Sequence, residues 1–98
     1  METPDPLGAL AAWYAEQCDG DWEHEYGVKI HTLDNPGWLI KVDLPGTSKE
    51  GATLPPESEE GPDGSWLHTS ADGRHLQVAC GPKDLKKALQ SALTFLTT

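Results

Sequence analysis

The sequence predicts an α+β domain in which a four-stranded antiparallel sheet carries two helices packed on one face, in the order α-β-β-β-β-α. Three patterns in the chain predict this fold. Apolar residues recur at helical spacing near both ends, apolar and polar residues alternate in the segments between, and turn-forming residues separate those segments. A chain of 98 residues has room for one small core, so we expect a single domain over residues 1–98.

The first helix is predicted over residues 6–18. The Asp5 side chain can accept a hydrogen bond at the N-cap, and Pro6 suits the first helical position, where no backbone N–H is needed. Gly20 ends the helix, because glycine readily adopts the left-handed conformation found after helix ends. The buried stripe of this helix is expected to contain Leu7, Leu10, Ala11, Tyr14 and Cys18.

The first hairpin is predicted from two segments of alternating polarity, residues 26–32 and 38–44. A four-residue loop between them would set apolar residues opposite polar ones. A five-residue loop over residues 33–37 makes one face apolar throughout, so we expect that register. The pairs expected on the apolar face are Tyr26 with Leu44, Val28 with Val42 and Ile30 with Ile40.

The second hairpin follows a long connection. Residues 45–64 are predicted to form a flexible surface loop, because Pro, Gly, Ser and Glu dominate them. The pair Asp72-Gly73 then predicts a tight turn between strands over residues 65–71 and 74–80. The residues expected on the core face of this hairpin are Leu67, Thr69, Leu76, Val78 and Cys80.

A second helix is predicted to open at Gly81-Pro82 and to bury an apolar stripe against the sheet. That stripe consists of Leu85, Ala88, Leu89, Ala92, Leu93 and Leu96. Because both helices then cover the same face of the sheet, the other face is open to solvent or to a partner. The open face is expected to carry Trp66, His68, His75 and Gln77, with Lys29, His31, Leu39, Lys41 and Asp43 from the first hairpin.

The charge of the chain excludes whole classes of function. Sixteen acidic residues against seven basic ones give a net charge of −9, and such a surface repels the phosphate backbone of a nucleic acid. No apolar run reaches the ~20 residues that span a bilayer, and the N-terminus lacks the basic segment of a secretory signal. We therefore expect a cytoplasmic protein whose partner is a basic protein, not a nucleic acid or a membrane.

The most acidic stretch follows the first helix and is the main candidate for partner binding. The first 25 residues contain no Lys or Arg, and acids at the C-terminal end of a helix oppose its dipole. Unneutralised carboxylates there would attract a basic partner, and tryptophan is a residue type that anchors interfaces. The predicted partner-binding residues are Asp19, Asp21, Trp22, Glu23, His24, Glu25, Asp34 and Trp66.

Three other interpretations of these residues are open. If the two helices pack antiparallel, the lysines at the start of the second helix would neutralise part of the acidic stretch; they are Lys83, Lys86 and Lys87. Clustered carboxylates also suit a hard cation, so a small metal-binding domain or metal-dependent hydrolase is the alternative function, although EF-hand spacing is absent. Its ligands would be Asp19, Asp21, Glu23 and His24. An interaction module unrelated to these acids would instead use the open sheet face.

No catalytic residue is predicted. The sequence has no G-x-S-x-G motif and no glycine-rich phosphate loop, and a chain this short forms only shallow pockets. We expect neither a cofactor nor a bound metal. Cys18 and Cys80 lie far apart without a C-x-x-C pair, so we interpret them as two small buried residues, with a disulfide between them as the alternative.

The segment from Trp13 to Trp38, WYAEQCDGDWEHEYGVKIHTLDNPGW, resembles the signature of the immunity protein 53 family. The resemblance covers about residues 10–44 and leaves out the loop predicted at residues 45–64. It implies a small, non-enzymatic protein that binds a secreted toxin of a bacterial polymorphic toxin system and protects the producing cell. Many such toxins are nucleases with basic grooves, so an acidic surface would bind a cognate toxin of that kind. The resemblance implies no residue-level mechanism, so the predicted contacts rest on the charge pattern.

Overall fold

Five strands and three helices, one of them a single turn, make up residues 5–98, the part of the chain that the computed structural model describes. The helices are α1 (Pro6–Gln17), α2 (Trp22–Glu25) and α3 (Leu85–Thr97). The strands are β1 (Val28–Leu33), β2 (Gly37–Asp43), β3 (Thr53–Glu60), β4 (Trp66–Asp72) and β5 (His75–Cys80). They form one antiparallel sheet in the order β1-β2-β5-β4-β3. The α+β class is confirmed, but the sheet has five strands and not the predicted four.

The additional strand, β3, lies within the segment predicted as a flexible loop. It pairs with β4 at the edge of the sheet, with a register shift between Leu54 and Glu57 where Pro55 and Pro56 interrupt the ladder. The prediction of a loop over residues 45–64 was therefore wrong for Thr53–Glu60. Proline and glutamate disfavour a strand inside a sheet, but an edge strand pairs on one side only and tolerates both.

The register predicted for the first hairpin is confirmed, since Ile30 pairs with Ile40 and Val28 with Val42. In the second hairpin the turn lies one residue later than predicted. Asp72 closes β4, and its Oδ1 accepts hydrogen bonds from the backbone N–H groups of Arg74 (2.9 Å) and His75 (2.8 Å). When the turn moves by one residue, each residue of β4 pairs with a residue of β5 two positions further along. Because side chains alternate between the two faces of a strand, a shift of two leaves the predicted core-facing residues on the core face.

The core lies between one face of the sheet and the two long helices. Ile40, Val42, Leu76 and Val78 are fully buried there, where α3 packs on β2 and β5 and α1 packs against α3. The α3 stripe follows the prediction, with Ala88, Leu89, Ala92 and Leu96 buried, although α3 begins at Leu85 and not at Gly81-Pro82. No helix of residues 5–98 is both long enough and apolar enough to cross a bilayer.

The buried face of α1 differs from the predicted one. Pro6, Leu10 and Trp13 are buried, whereas Leu7 is 58% exposed and Tyr14 is 38% exposed. The indole of Trp13 is the largest apolar group on this helix, so burying it turns Leu7 and Tyr14 outward. The prediction that Leu7, Ala11 and Tyr14 belong to the buried stripe was therefore wrong.

Candidate functional site

The acidic stretch forms a compact projection after α1, which we call the acidic lobe and define as residues Asp19–Glu25. Its central side chain, Trp22, is only 6% exposed, and its Nε1 donates a hydrogen bond to the Pro45 carbonyl oxygen at 2.8 Å. The Trp22 ring also packs edge-on against Trp13, with centroids 6.2 Å apart. Trp22 was predicted as a partner contact, but the structure places it beneath the lobe, where it fixes the lobe to the core.

Two carboxylates of the acidic lobe are used to shape its own backbone. Asp19 Oδ1 accepts hydrogen bonds from the N–H groups of Trp22 and Asp21, both at 3.0 Å. Glu23 Oε1 accepts from the N–H groups of Asp19 (3.0 Å) and Gly20 (3.1 Å). These four bonds close the turn between α1 and α2.

Backbone hydrogen bonds lower the pKa of both carboxyl groups, because a donated N–H stabilises the charged carboxylate. Bonds from Trp22 and then Asp21 lower the pKa of Asp19 below its ordinary value. The pKa of Glu23 is lowered by its own backbone amide first, and then by those of Asp19 and Gly20. Both side chains are therefore ionised at neutral pH.

The other charges of the lobe face solvent. Asp21, His24 and Glu25 are exposed. In the part of the chain that the structure describes, no Lys or Arg forms a salt bridge with a carboxylate of the acidic lobe. The lobe therefore presents fixed negative charge that the fold itself does not pair.

The expected neutralisation by the start of the second helix is not seen. Asp84, just before α3, accepts a hydrogen bond from the Trp66 N–H at 3.2 Å. Because β4 begins at Trp66, the lysines that flank Asp84 lie at that end of the sheet. The acidic lobe is tied to Pro45, beyond the opposite end of β2. Lys87 instead lies 3.8 Å from Glu59 of β3. The interpretation in which Lys83, Lys86 and Lys87 neutralise the acidic stretch is therefore not supported within residues 5–98.

Two predicted contact residues, Asp34 and Trp66, are separate from the lobe. Asp34 is exposed in the turn between β1 and β2, at the end of β1 that is farther from the lobe. The six residues of β1 span about 20 Å, which separates the two groups. Trp66 is half-buried at the Asp34 end, where its ring covers Gly37 and Gly81 and lies 5.0 Å from the His68 ring.

The metal-binding alternative has no site within residues 5–98, where no group of three His, Cys, Asp or Glu side chains could hold an ion. On the open sheet face, His68 is exposed, while His75 Nε2 lies 3.4 Å from Asp43 Oδ1. Cys18 and Cys80 are both free thiols, Cys18 partly exposed and Cys80 buried.

The sequence patterns missed a second surface feature, an apolar hollow beside α1. It has a volume of about 320 Å³ and is lined by Leu7, Leu10, Ala11, Tyr14, Gly27 and Val28. The α1 residues that line the hollow are the same apolar residues that helical spacing predicts to be buried in the core. Because Trp13 takes the core position, part of this apolar stripe is left facing solvent.

Comparison with known proteins assigns the chain to a family. A family model described as Immunity protein 53 matches residues 7–96. No curated protein and no solved structure matches the chain. The match extends well beyond the segment that carries the resemblance and includes β3.

Proposed function

Because the chain belongs to the immunity protein 53 family, we propose that its acidic lobe binds and neutralises a basic, nuclease-type toxin without any catalytic step. The family implies an immunity protein that binds a cognate toxin. The identity of the binding surface, the chemistry of the toxin and a site of action in the cytoplasm of the producing cell are our proposal.

The observation that carries the proposal is the unpaired negative charge of the acidic lobe. Its carboxylates have no Lys or Arg partner among residues 5–98, and the whole chain has a net charge of −9. A nuclease groove that binds phosphates presents Lys and Arg, so a surface of fixed carboxylates is complementary to it. Opposite charges on the two proteins would also speed their encounter.

The lobe is preorganised for such a contact. Asp19 and Glu23 hold the turn through backbone hydrogen bonds, and Trp22 ties it to Pro45. A surface that is rigid before binding loses less conformational entropy in the complex, which favours affinity. Asp21, His24 and Glu25 are then the side chains placed to touch the toxin. Asp34 and Trp66, at the other end of β1, stay a second predicted contact.

The test is charge reversal at two exposed carboxylates of the lobe that accept no backbone hydrogen bond. The double variant Asp21→Lys/Glu25→Lys should lower the rate constant of association with the cognate toxin by about tenfold at low ionic strength. The dependence of that rate constant on salt concentration should also weaken. Glu57→Lys/Glu60→Lys on β3 is the matched control, because both residues are exposed and the change in net charge is identical. Stopped-flow or surface-based kinetics would measure both.

Equal slowing in the two double variants would mean that only net charge matters and would overturn the assignment to the lobe. The nature of the toxin is tested separately. The purified toxin should degrade DNA or RNA, and an equimolar amount of this protein should stop it. A toxin without nuclease activity would contradict that part of the proposal alone.

A further inference from the structure

The two edges of the sheet differ in how they are protected against pairing with another strand. β3 carries Pro55, Pro56, a register shift and exposed glutamates, all of which hinder the addition of a further strand. β1 pairs with β2 without interruption from Val28 to Leu33 and contains neither proline nor glycine. An edge strand of this kind presents a row of unpaired backbone groups, and Lys29 is its one charged side chain.

The direction of those backbone groups follows from one hydrogen bond. The carbonyl oxygen of Gly27 accepts from the N–H of Asp43, its antiparallel neighbour, at 3.1 Å. Backbone groups alternate in direction along a strand, so those of Lys29 and His31 point toward β2. The N–H and C=O groups of Val28, Ile30 and Thr32 therefore point away from the sheet, toward the free edge, where the Thr32 carbonyl oxygen lies 3.2 Å from His31 Nδ1.

Exposed apolar surface gathers at the same edge. The large hydrophobic side chains that are exposed in residues 5–98 are Leu7 (58%), Tyr14 (38%) and Ile30 (37%). Leu7 and Tyr14 line the apolar hollow, which ends at Val28 of β1. Ile30 pairs with the buried Ile40, so its side chain is on the same face of the sheet as that hollow.

We propose that the free edge of β1 and the apolar hollow together bind an extended segment of the toxin, which adds a strand to the five-stranded sheet and places an apolar side chain in the hollow. This inference rests on the proposed function, since it names a second contact with the same partner. Main-chain hydrogen bonds would provide the affinity, and the hollow would select the side chain.

Charge favours a basic segment of the toxin over a second copy of this chain. The hollow lies next to the acidic lobe, because its lining residue Tyr14 packs against Trp22 with ring centroids 5.9 Å apart. A strand on β1 would thus have one end near the unpaired carboxylates. A second copy would bring another net charge of −9 to the same place, whereas lysines or arginines flanking an apolar residue would be attracted.

The test removes one outward-facing donor and leaves the pairing of β1 with β2 intact. Ile30→Pro deletes an N–H that points to the free edge, a position at which an edge strand tolerates proline. We expect a Kd for the toxin raised by about tenfold or more, whereas Ile30→Val, which keeps the amide and the branched side chain, should bind like the wild type. Leu7→Gln should also weaken binding, because it makes the hollow polar.

Amide hydrogen exchange of the wild-type protein provides a readout that does not depend on how Ile30→Pro folds. The amides of Ile30 and Thr32 should exchange rapidly in the free protein and become protected in the complex, while those of Lys29 and His31 are protected in both. Unchanged exchange at Ile30 and Thr32, or wild-type affinity of a folded Ile30→Pro variant, would overturn the inference. A free protein that sediments as a dimer and becomes monomeric on Ile30→Pro would overturn it in favour of a second copy.

The results for the β1 edge can be separated from a failure of the proposed function. If the edge is not used, Asp21→Lys/Glu25→Lys still slows toxin association. If the wild-type protein does not bind the toxin at all, both proposals are wrong.

Discussion

Trp22 is surrounded in sequence by acids and is nevertheless one of the least exposed side chains in the molecule, at 6%. Its burial depends on a partner for the indole N–H, because a buried donor without an acceptor is costly. The Pro45 carbonyl supplies that acceptor at 2.8 Å from a position 23 residues later in the chain. The local sequence indicates an aromatic anchor, but only this distant contact determines that the anchor faces inward.

Trp22→Phe tests that contact. The substitution keeps an aromatic ring but leaves the Pro45 carbonyl without its donor, so unfolding in urea should show a loss of about 1–2 kcal/mol. Trp38→Phe is the control, because the hydrogen bond from Trp38 Nε1 to the Pro82 carbonyl is exposed, so water can replace it, while the ring itself is partly buried against the core. A smaller loss than in Trp22→Phe is expected for the control. Equal losses in both variants would contradict the role assigned to Trp22.

Asp19 and Glu23 predict a pH dependence of stability. Hydrogen bonds to the backbone lower the pKa of both carboxyl groups in the folded state, so the unfolded chain binds protons more readily. Their stabilisation is complete above the ordinary carboxyl range and is lost as pH falls through the lowered values.

We therefore expect Asp19→Asn/Glu23→Gln to have a lower Tm than the wild type at pH 7, with the difference shrinking below about pH 4. Asp21→Asn/Glu25→Gln is the matched control, since neither of its carboxylates accepts a backbone hydrogen bond in residues 5–98. Thermal unfolding across pH 2–8 would measure both. A gap in Tm that stays constant with pH would show that these hydrogen bonds do not depend on charge.

At the scale of elements, α3 shows how small residues set the distance between a helix and a sheet. Ala88 and Ala92 are fully buried and lie one turn apart on the face toward β2 and β5. Without longer side chains at these positions, the α3 backbone approaches the sheet closely. The apolar periodicity of the sequence predicts this face correctly, because α3 has one wide apolar stripe.

Ala92→Leu should push α3 away from the sheet and cost about 1–3 kcal/mol in the free energy of unfolding, as overpacking of a tight core does. Gln90→Leu adds an apolar side chain to the same helix at an exposed position and should change stability by no more than about 0.5 kcal/mol. Chemical denaturation measures both variants. A neutral Ala92→Leu would mean that unfilled space surrounds Ala92.

At the scale of the whole molecule, the carboxylates of the acidic lobe are separated from the lysines at the start of α3. The acidic lobe lies beyond the end of β2 that Pro45 follows, whereas the lysines around Asp84 lie at the end where β4 begins. Lys87 is directed to Glu59 of β3, at 3.8 Å. The β1 side of the molecule thus combines an open strand edge, an apolar hollow and unpaired carboxylates, while the β3 side is protected by proline and glutamate. One partner could use all three features of the β1 side together.

Features that depend on neighbours within a few residues are predictable from the amino-acid sequence. The alternation along residues 26–44 predicts the register of the first hairpin, because a slip of one residue would turn every side chain to the wrong face. The stripe of α3 and the unusual acidity of residues 19–25 are likewise local patterns, and the signature around them predicts the family.

Features that depend on distant contacts follow only from the folded arrangement of the whole chain. Thr53–Glu60 becomes a strand because β4 offers an unpaired edge, although its own composition favours a loop. The outward face of α1 follows from Trp13 packing against Trp22, and the separation of Asp34 and Trp66 from the acidic lobe follows from the length of β1. Local patterns describe which side chains prefer burial, but the geometry of the whole sheet determines which of them find room in the core.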